Sequence, residues 1–177
     1  MMKLIPFTPR HFELVCSWFS NEVEVVQWGG PTVCYPLQPE MLQPMLDEGA
    51  SNPPGRLCWM AQSDGEFVGH VQLGLDWRNG IALVSRVVIA PEARGKGHGS
   101  NMVRLLLDQA FSFEVMQRAE LNVYAWNRVA IRTYEKLGFR LEGNRRSCAL
   151  VNGDRWDGYM MGLLREEWSG VRLNADE

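Results

Sequence analysis

The stretch from Ile81 to Leu107 reads IALVSRVVIAPEARGKGHGSNMVRLLL and decides the fold. Its first nine residues are mostly apolar and rich in β-branched side chains, which favours a largely buried strand. Pro91 prevents further pairing in a sheet. From Met102 onward, apolar residues recur at steps of three and four, which predicts an amphipathic helix that begins at the glycines. We therefore expect a strand, a glycine-rich turn and a helix in succession.

The turn Arg94–Gly99 has the composition of an anion-binding site. Glycine lacks a Cβ, so successive backbone N–H groups can converge on one point. The free N–H groups and positive dipole end of the following helix favour a phosphate, and the charges of Arg94 and Lys96 add to this attraction. The alternative is a solvated glycine-rich turn, because short glycine motifs have many false matches.

The glycine spacing excludes two familiar phosphate-binding loops. A P-loop requires Ser or Thr after its Gly-Lys pair, whereas Lys96 is followed by Gly97. The dinucleotide fingerprint requires Gly-x-Gly-x-x-Gly, whereas the glycines from Gly95 to Gly99 are spaced by two. The ligand must therefore be sought in another class of site.

The Arg-x-x-Gly-x-Gly spacing of Arg94–Gly99, after a strand and before a helix, resembles the pyrophosphate loop of the GNAT superfamily of acyl-coenzyme A dependent N-acetyltransferases. A second motif, Asn127–Phe139, resembles that superfamily's helix with a coenzyme-contacting Asn and a Tyr seven residues later. The two motifs occur in the expected order. The clear resemblance covers about residues 67–143, and the flanks match in general organisation.

The resemblance implies the GNAT fold, which is a mixed α/β (α+β) arrangement. Its central, mostly antiparallel sheet splays at the coenzyme site and carries helices on both faces. We expect one domain over residues 1–177, with a polar C-terminal tail over about residues 169–177. Asp64-Gly65 and Asn79-Gly80 predict two hairpins, so three antiparallel strands should lead into the glycine turn.

Two further predictions concern the N-terminal region. Apolar residues from Phe12 to Phe19 share one face at helical spacing, which predicts an amphipathic helix packed on the core. Residues 21–39 contain Gly-Gly-Pro and further prolines, which predicts a long connection with turns.

The resemblance also assigns the coenzyme site. Backbone groups at the end of the central strand would pair with pantetheine, and a preplaced N–H would stabilise the thioester oxyanion. The alternative is that this strand end merely completes the sheet. The implied coenzyme-binding residues are Val87, Val88, Ile89, Arg94, Gly95, Lys96, Gly97, His98, Gly99 and Asn127.

Acyl transfer to an amine also requires movement of two protons. The resemblance makes Tyr134 the general acid for the leaving thiolate. This assignment rests on the position of Tyr134 more than on its acidity, because a phenol with a pKa of about 10 is a weaker acid than a thiol with a pKa of about 8.5. A core tyrosine is the alternative. Leu83 and Asn122 stand where other members carry a carboxylate, so Asp76 and Glu24 are the candidate bases, acting through water. Structural or surface roles are the alternative for both.

The expected reaction is direct acetyl transfer from acetyl-coenzyme A to a primary amine. The acceptor is a small molecule, such as a polyamine or an antibiotic, or a protein N-terminus. Asn122 in place of a glutamate favours the small molecule. A non-catalytic acyl-coenzyme A sensor is a further alternative, against which Asn127 and Tyr134 argue. The superfamily commonly dimerises, so a homodimer is among the expected assemblies.

The composition bears on nucleic-acid binding, membrane insertion, metal binding and the redox state of the cysteines. A net charge of −3 with scattered basic residues gives no nucleic-acid footprint, and no apolar run approaches the roughly 20 residues of a membrane helix. Three histidines without ligand spacing predict no metal. The four cysteines have neither metal-ligand nor disulfide-framework spacing, so we expect reduced thiols and a cytoplasmic protein.

Overall fold

The computed structural model describes residues 1–169, which form a seven-stranded sheet with helices. The strands are β1 (Met2–Pro6), β2 (Arg56–Ser63), β3 (Glu66–Asp76), β4 (Ile81–Ile89), β5 (Arg118–Tyr124), β6 (Arg140–Val151) and β7 (Asp154–Leu164). The α-helices are α1 (Phe12–Cys16), α2 (Glu22–Gly29), α3 (Gln43–Asp47), α4 (His98–Ser112) and α5 (Arg128–Lys136). Apart from its first residue, the predicted C-terminal tail lies outside the described residues. Among the described helices, none is both long and apolar enough to cross a membrane.

The sheet has the order β1-β2-β3-β4-β5-β7-β6, and its neighbouring strands are antiparallel except for β4 and β5. The parallel β4–β5 pairing begins with Ile81 opposite Arg118 and ends with Val84 opposite Leu121. Beyond that point β4 continues along β3 and β5 along β7. The sheet therefore opens between its two central strands, which confirms the predicted splayed and mostly antiparallel sheet.

Helices cover both faces of this sheet. A Cβ added at Gly69 of β3 would lie 2.8 Å from Met102 Sδ of α4, so this position faces α4. The next residue, His70, has its ring centroid 6.0 Å from that of Trp28 in α2. Because neighbouring residues of a strand point to opposite faces, α4 and α2 lie on opposite sides of the sheet.

Six residues of α4, the helix predicted after the glycines, are buried. Its hydrophobic spacing places one face against β1, β3 and β4, as expected for an amphipathic helix. The buried residues of this face are Met102, Val103, Leu106, Leu107, Ala110 and Phe111. The packing fixes the N-terminus of α4 beside the end of β4.

The N-terminal region differs from its prediction in two respects. α2 lies inside the segment predicted as a connection, because the Asn21 side chain accepts a hydrogen bond from Glu24 N (3.0 Å) and caps a helix. The prediction gave weight to the Gly-Gly-Pro break, which only ends that helix. The predicted first helix stops at Cys16, and Phe19 is buried beyond it, with its ring centroid 5.0 Å from that of Trp28.

Candidate active site

The glycine turn presents backbone donors at the N-terminus of α4. Gly95 and Gly97 have φ values of 77° and 76°, and a Cβ at either would meet nothing within 4 Å. The left-handed backbone, rather than crowding, therefore requires glycine at these positions. Gly97 is the N-cap, and the first N–H groups of α4 have no carbonyl partner within their own helix. Free N–H groups at the N-terminus of a helix suit an anion such as a pyrophosphate.

Two basic side chains border this turn and are exposed. Lys96 Nζ donates a hydrogen bond to Glu92 O (3.0 Å), and Arg94 Nε donates one to Ile89 O (3.3 Å). Arg94 Nη1 also lies 3.6 Å from a carboxylate oxygen of Glu24 in α2. The structure thus brings the predicted loop residues together with the end of β4.

A β-bulge interrupts β4 beside the open gap. Between Ser85 and Val88, the two residues Arg86 and Val87 face a single residue of β3. Arg86 has a φ of 53°, and Trp28 Nε1 of α2 donates a hydrogen bond to its carbonyl oxygen (2.8 Å). Sequence reasoning missed this bulge, because a positive φ at a non-glycine residue leaves no sequence signature.

The end of β4 directs backbone groups into the gap. Ala90 N donates a hydrogen bond to Val68 O (2.9 Å) on the β3 side. Because N–H groups alternate along a strand, the amides of Ile89 and Val87 point the other way, towards the gap. Val88 instead lies opposite His70 in the β3 ladder. Of the three predicted strand residues, Val87 and Ile89 are therefore placed to offer backbone donors.

The second motif forms α5 and its cap. The side chain of Asn127 caps the helix by accepting a hydrogen bond from Ala130 N (3.2 Å). Tyr134 is 7% exposed, and its ring meets that of Phe139 edge-on at a centroid distance of 5.9 Å. Burial raises the pKa of Tyr134 to about 12. The phenol therefore stays protonated at neutral pH, the form that can donate a hydrogen bond or a proton.

Asp76, one of the two candidate bases, lies away from this site. It ends β3 opposite Ile81, eight residues along β4 from Ile89, which corresponds to about 26 Å of strand. Its carboxylate accepts hydrogen bonds from Asn79 N (2.9 Å) and Asn79 Nδ2 (2.7 Å), and these bonds hold its pKa below the usual range. Asp76 thus stabilises the β3–β4 turn, and the structure does not bring it to the gap.

Glu24, the other candidate base, lies next to the phosphate loop. Ser20 N and Ser20 Oγ both donate hydrogen bonds to it (2.8 Å each). These bonds and the charge of Arg94 hold the pKa of Glu24 below its usual range. A carboxylate stabilised in its charged form is a weak proton acceptor, so this environment favours a structural link between α2 and the loop.

His70 is wholly buried on the face of β3 covered by α2. Its Nε2 lies 2.9 Å from Gln72 Nε2, and its Nδ1 has no hydrogen-bond partner among residues 1–169. Its ring packs edge-on against Phe7, with the centroids 4.4 Å apart. Burial lowers the pKa of His70 to about 3, so this histidine is neutral in the folded protein.

We expect acid to destabilise the protein through His70. The unfolded chain binds a proton near pH 6.5 and the folded chain only near pH 3, so stability is full above pH 6.5 and falls as the pH drops towards 3. Linkage gives a free energy of unfolding about 2 kcal/mol lower at pH 5 than at pH 7 from this group. Urea unfolding at the two pH values measures it. If the free energy of unfolding of His70→Gln fell by the same amount between pH 7 and pH 5, other groups would be responsible for the effect.

The described residues contain no group of three His, Cys, Asp or Glu side chains placed to hold a metal ion. The four cysteines Cys16, Cys34, Cys58 and Cys148 are free thiols. The site therefore consists of backbone donors, two basic side chains, a buried phenol and the open gap between β4 and β5. Such an arrangement can bind a phosphorylated acyl carrier and polarise a carbonyl group within the gap.

Comparison with known proteins agrees with this arrangement. Residues 17–139 match the acetyltransferase (GNAT) family. The chain is 31% identical over 135 residues to the L-amino acid N-acetyltransferase AaaT of Escherichia coli strain K12, covering 75% of this chain and 83% of that protein. It is 30% identical over 92 residues to a spermidine N(1)-acetyltransferase of Vibrio cholerae, covering 52% of this chain and 51% of that one.

The fold is also shared with solved structures. The crystal structure of spermidine N-acetyltransferase from Vibrio cholerae, in complex with CoA and spermine, has a TM-score of 0.80. The superposition covers 94% of this chain and 97% of that one at 19% identity, so it concerns the fold alone. Together with the family match over residues 17–139, these findings show that the chain belongs to the GNAT family and is an acetyl-coenzyme A dependent N-acetyltransferase.

Proposed function

We propose that the protein transfers the acetyl group of acetyl-coenzyme A to the primary amine of a small molecule. The observation that carries the proposal is the open gap between β4 and β5, with the amides of Val87 and Ile89 directed into it. The N-terminus of α4 lies beside the end of β4. A long ligand with a phosphate at one end and a thioester at the other matches these two sets of donors.

Each element has a distinct role in binding. The backbone of Arg94–Gly99 holds the pyrophosphate, and the side chains of Arg94 and Lys96 add positive charge. Val87 and Ile89 pair with the pantetheine arm, and Asn127 contacts it from the start of α5. The pairing with backbone donors is favourable because the sheet already holds these donors in place, so they need no reorganisation.

Acetyl-coenzyme A supplies the activated acetyl group in this reaction. The neutral amine forms the new carbon–nitrogen bond, the carbon–sulfur bond breaks, and the nitrogen loses its surplus proton to solvent. A backbone N–H at the bulge stabilises the negative charge on the carbonyl oxygen. Tyr134 donates to the sulfur as it leaves, and solvent restores any proton transferred. We assign no carboxylate as the base, because Asp76 is remote and Glu24 is held charged.

Relatives support a small-molecule acceptor. AaaT is named for L-amino acids and the Vibrio cholerae protein for spermidine, and both are small molecules with primary amines. The chain spans 83% of the first protein and about half of the second. A protein N-terminus is the alternative acceptor and belongs in the same assay.

Calorimetric titration with acetyl-coenzyme A and desulfo-coenzyme A, followed by thiol release with a panel of amines, tests the proposal. We expect binding of both coenzymes and thiol release that depends on the amine. Binding without release across small amines and N-terminal peptides would indicate an acyl-coenzyme A sensor. No binding would contradict the assignment of Arg94–Gly99 to the pyrophosphate.

We expect Asp76→Asn to leave catalysis unchanged. Asp76 is fully exposed, at the end of the β3–β4 hairpin remote from Ile89, so its loss should not alter the pH dependence of kcat/KM. Steady-state kinetics from pH 6 to 10 measure this, with Glu24→Gln alongside. If the fall of kcat/KM at low pH were shifted or lost in either variant, the carboxylate removed in that variant would be the base.

The remaining assignments are proposals of the same kind. Residues 1–177 form one acetyltransferase domain, and the four free thiols are consistent with a reducing, cytoplasmic compartment. A homodimer and the absence of a metal stay predictions. Analytical ultracentrifugation and metal analysis of the purified protein measure both.

A further inference from the structure

A polar cluster lies beside the bulge, on the sheet face covered by α2 and α3. Arg56 Nη1 donates hydrogen bonds to Gln72 Oε1 (3.1 Å) and Ser85 Oγ (3.3 Å). Gln72 Nε2 in turn donates to Met45 Sδ (3.1 Å), and Arg86 Nη1 donates to the same sulfur (3.3 Å). Met45 and Gln72 therefore link the guanidinium groups of Arg56 and Arg86 on one face of the sheet.

Arg86 has only weak partners for its charge. A thioether sulfur is a poor hydrogen-bond acceptor, and the other contact is the Trp28 ring, whose centroid lies 5.2 Å from the guanidinium carbon. No ion pair joins Arg86 to a carboxylate within residues 1–169. Burial, and then the charge of Arg56, lowers the pKa of Arg86, although a guanidinium stays protonated.

The cluster carries an uncompensated positive charge. Glu48 is its carboxylate and is already paired with Arg56 (3.1 Å). The other titratable groups are neutral, since burial lowers the pKa of His70 to about 3 and raises that of Cys58 to about 12. Two guanidinium groups and one carboxylate leave one positive charge unbalanced, and a partly buried cation without a strong acceptor is unfavourable.

The excess charge lies next to the proposed reaction centre. Arg86 is the first residue of the bulge and directly precedes Val87, whose amide points into the gap. Ser85, Arg86 and Val87 are all partly exposed, so none of them is sealed inside the core. The side chain of Arg86 is oriented by Trp28, which also holds its backbone carbonyl.

We propose that Arg86, supported by Arg56, binds a carboxylate of the acceptor, so that the substrate class is a carboxylate-bearing primary amine, such as an α-amino acid. The inference rests on the proposed function and specifies its acceptor. A carboxylate matches the fork of a guanidinium with two parallel hydrogen bonds and replaces the weak thioether acceptor. A polyamine brings further positive charge to a cationic cluster and is disfavoured there.

Matched acceptors test the inference. We would assay thiol release with the L-amino acids, the carboxamide of each, and spermidine, using wild type, Arg86→Gln, Arg86→Lys and Arg78→Gln. Arg78 is an exposed control arginine in the β3–β4 turn. In the wild type, we expect kcat/KM for the best amino acid to exceed that for its carboxamide by about 10²-fold, as for loss of one partner of a desolvated charge pair.

The variants separate carboxylate binding from a structural role. Arg86→Gln should raise KM for the amino acid and reduce its advantage over the carboxamide to a few-fold, Arg86→Lys should restore part of it, and Arg78→Gln should behave as wild type. Thermal unfolding checks that each variant folds. If the wild type used carboxamides or spermidine equally well or better, the inference would be overturned and the proposed function would stand. The same holds if folded Arg86→Gln or Arg86→Lys kept the full preference for the carboxylate. Coenzyme binding without turnover of any amine would overturn the proposed function itself.

Discussion

Tyr134→Phe should lower kcat by about 10²-fold or more while leaving the affinity for acetyl-coenzyme A unchanged. The hydroxyl is the only group removed, and loss of a donor to the departing sulfur, by proton transfer or by hydrogen bonding, typically costs a factor of this size. The remaining ring still packs against Phe139, so the core keeps its shape. Single-turnover kinetics give the rate of acetyl transfer, and calorimetry with desulfo-coenzyme A gives the affinity.

The buried position of Tyr134 also predicts the pH dependence. An acid must be protonated to act, and burial raises its pKa to about 12, so ionisation of this phenol should not reduce kcat below about pH 11. Full proton transfer to a thiolate is uphill from such a phenol, which makes hydrogen bonding to the departing sulfur its main contribution. An unchanged kcat in Tyr134→Phe would make this residue a core tyrosine.

Ser100→Asp should weaken the affinity for acetyl-coenzyme A by about 10²-fold without destabilising the fold. Ser100 is the third residue of α4 and is partly exposed beside the glycine turn. A carboxylate there meets the pyrophosphate charges at short range, which costs a few kcal/mol at an effective dielectric constant of about 20. The same carboxylate interacts favourably with the N-terminal dipole of the helix, so the melting temperature should stay equal or rise slightly.

Ser100→Asn is the matched control, because asparagine has nearly the same shape as aspartate and no charge. We expect its affinity to stay within about threefold of wild type, since it introduces no repulsion. Calorimetric titration at low and at moderate salt compares the two variants, and the difference should shrink as salt screens the charges. Equal affinities in Asp and Asn variants would make Arg94–Gly99 a solvated turn.

Much of the fold was readable because its signals are local. Hydrophobic spacing placed β4 and α4 on either side of the glycines, and Asp64-Gly65 and Asn79-Gly80 placed the two hairpins. The same reading failed for α2, where a single capping side chain, Asn21, outweighed nearby helix breakers. Local patterns fail where one tertiary or capping contact decides between conformations of similar energy.

Some residues of the candidate site could likewise be predicted from the sequence, and others could not. The phosphate loop was predicted from its glycines, its basic residues and the helix that follows, whereas the roles of Asn127 and Tyr134 came from the resemblance to the GNAT superfamily. Whether Asp76 and Glu24 act as bases could not be judged from the sequence. The distance between Asp76 and Ile89 depends on strand register, and the contact between Glu24 and Arg94 depends on helix packing. The sequence had offered no reason to consider Arg86.

The sequence by itself determined the two hairpins, the glycine turn before α4 and the family motifs, because each depends on the conformational preferences of residues close together in the chain. Only the tertiary structure decided where β4 and β5 separate, which is after Val84, that a bulge begins at Arg86, and that Arg56 joins Arg86 on one face. These features arise from contacts between residues far apart in sequence, whose pairing is set by the packing of the whole sheet.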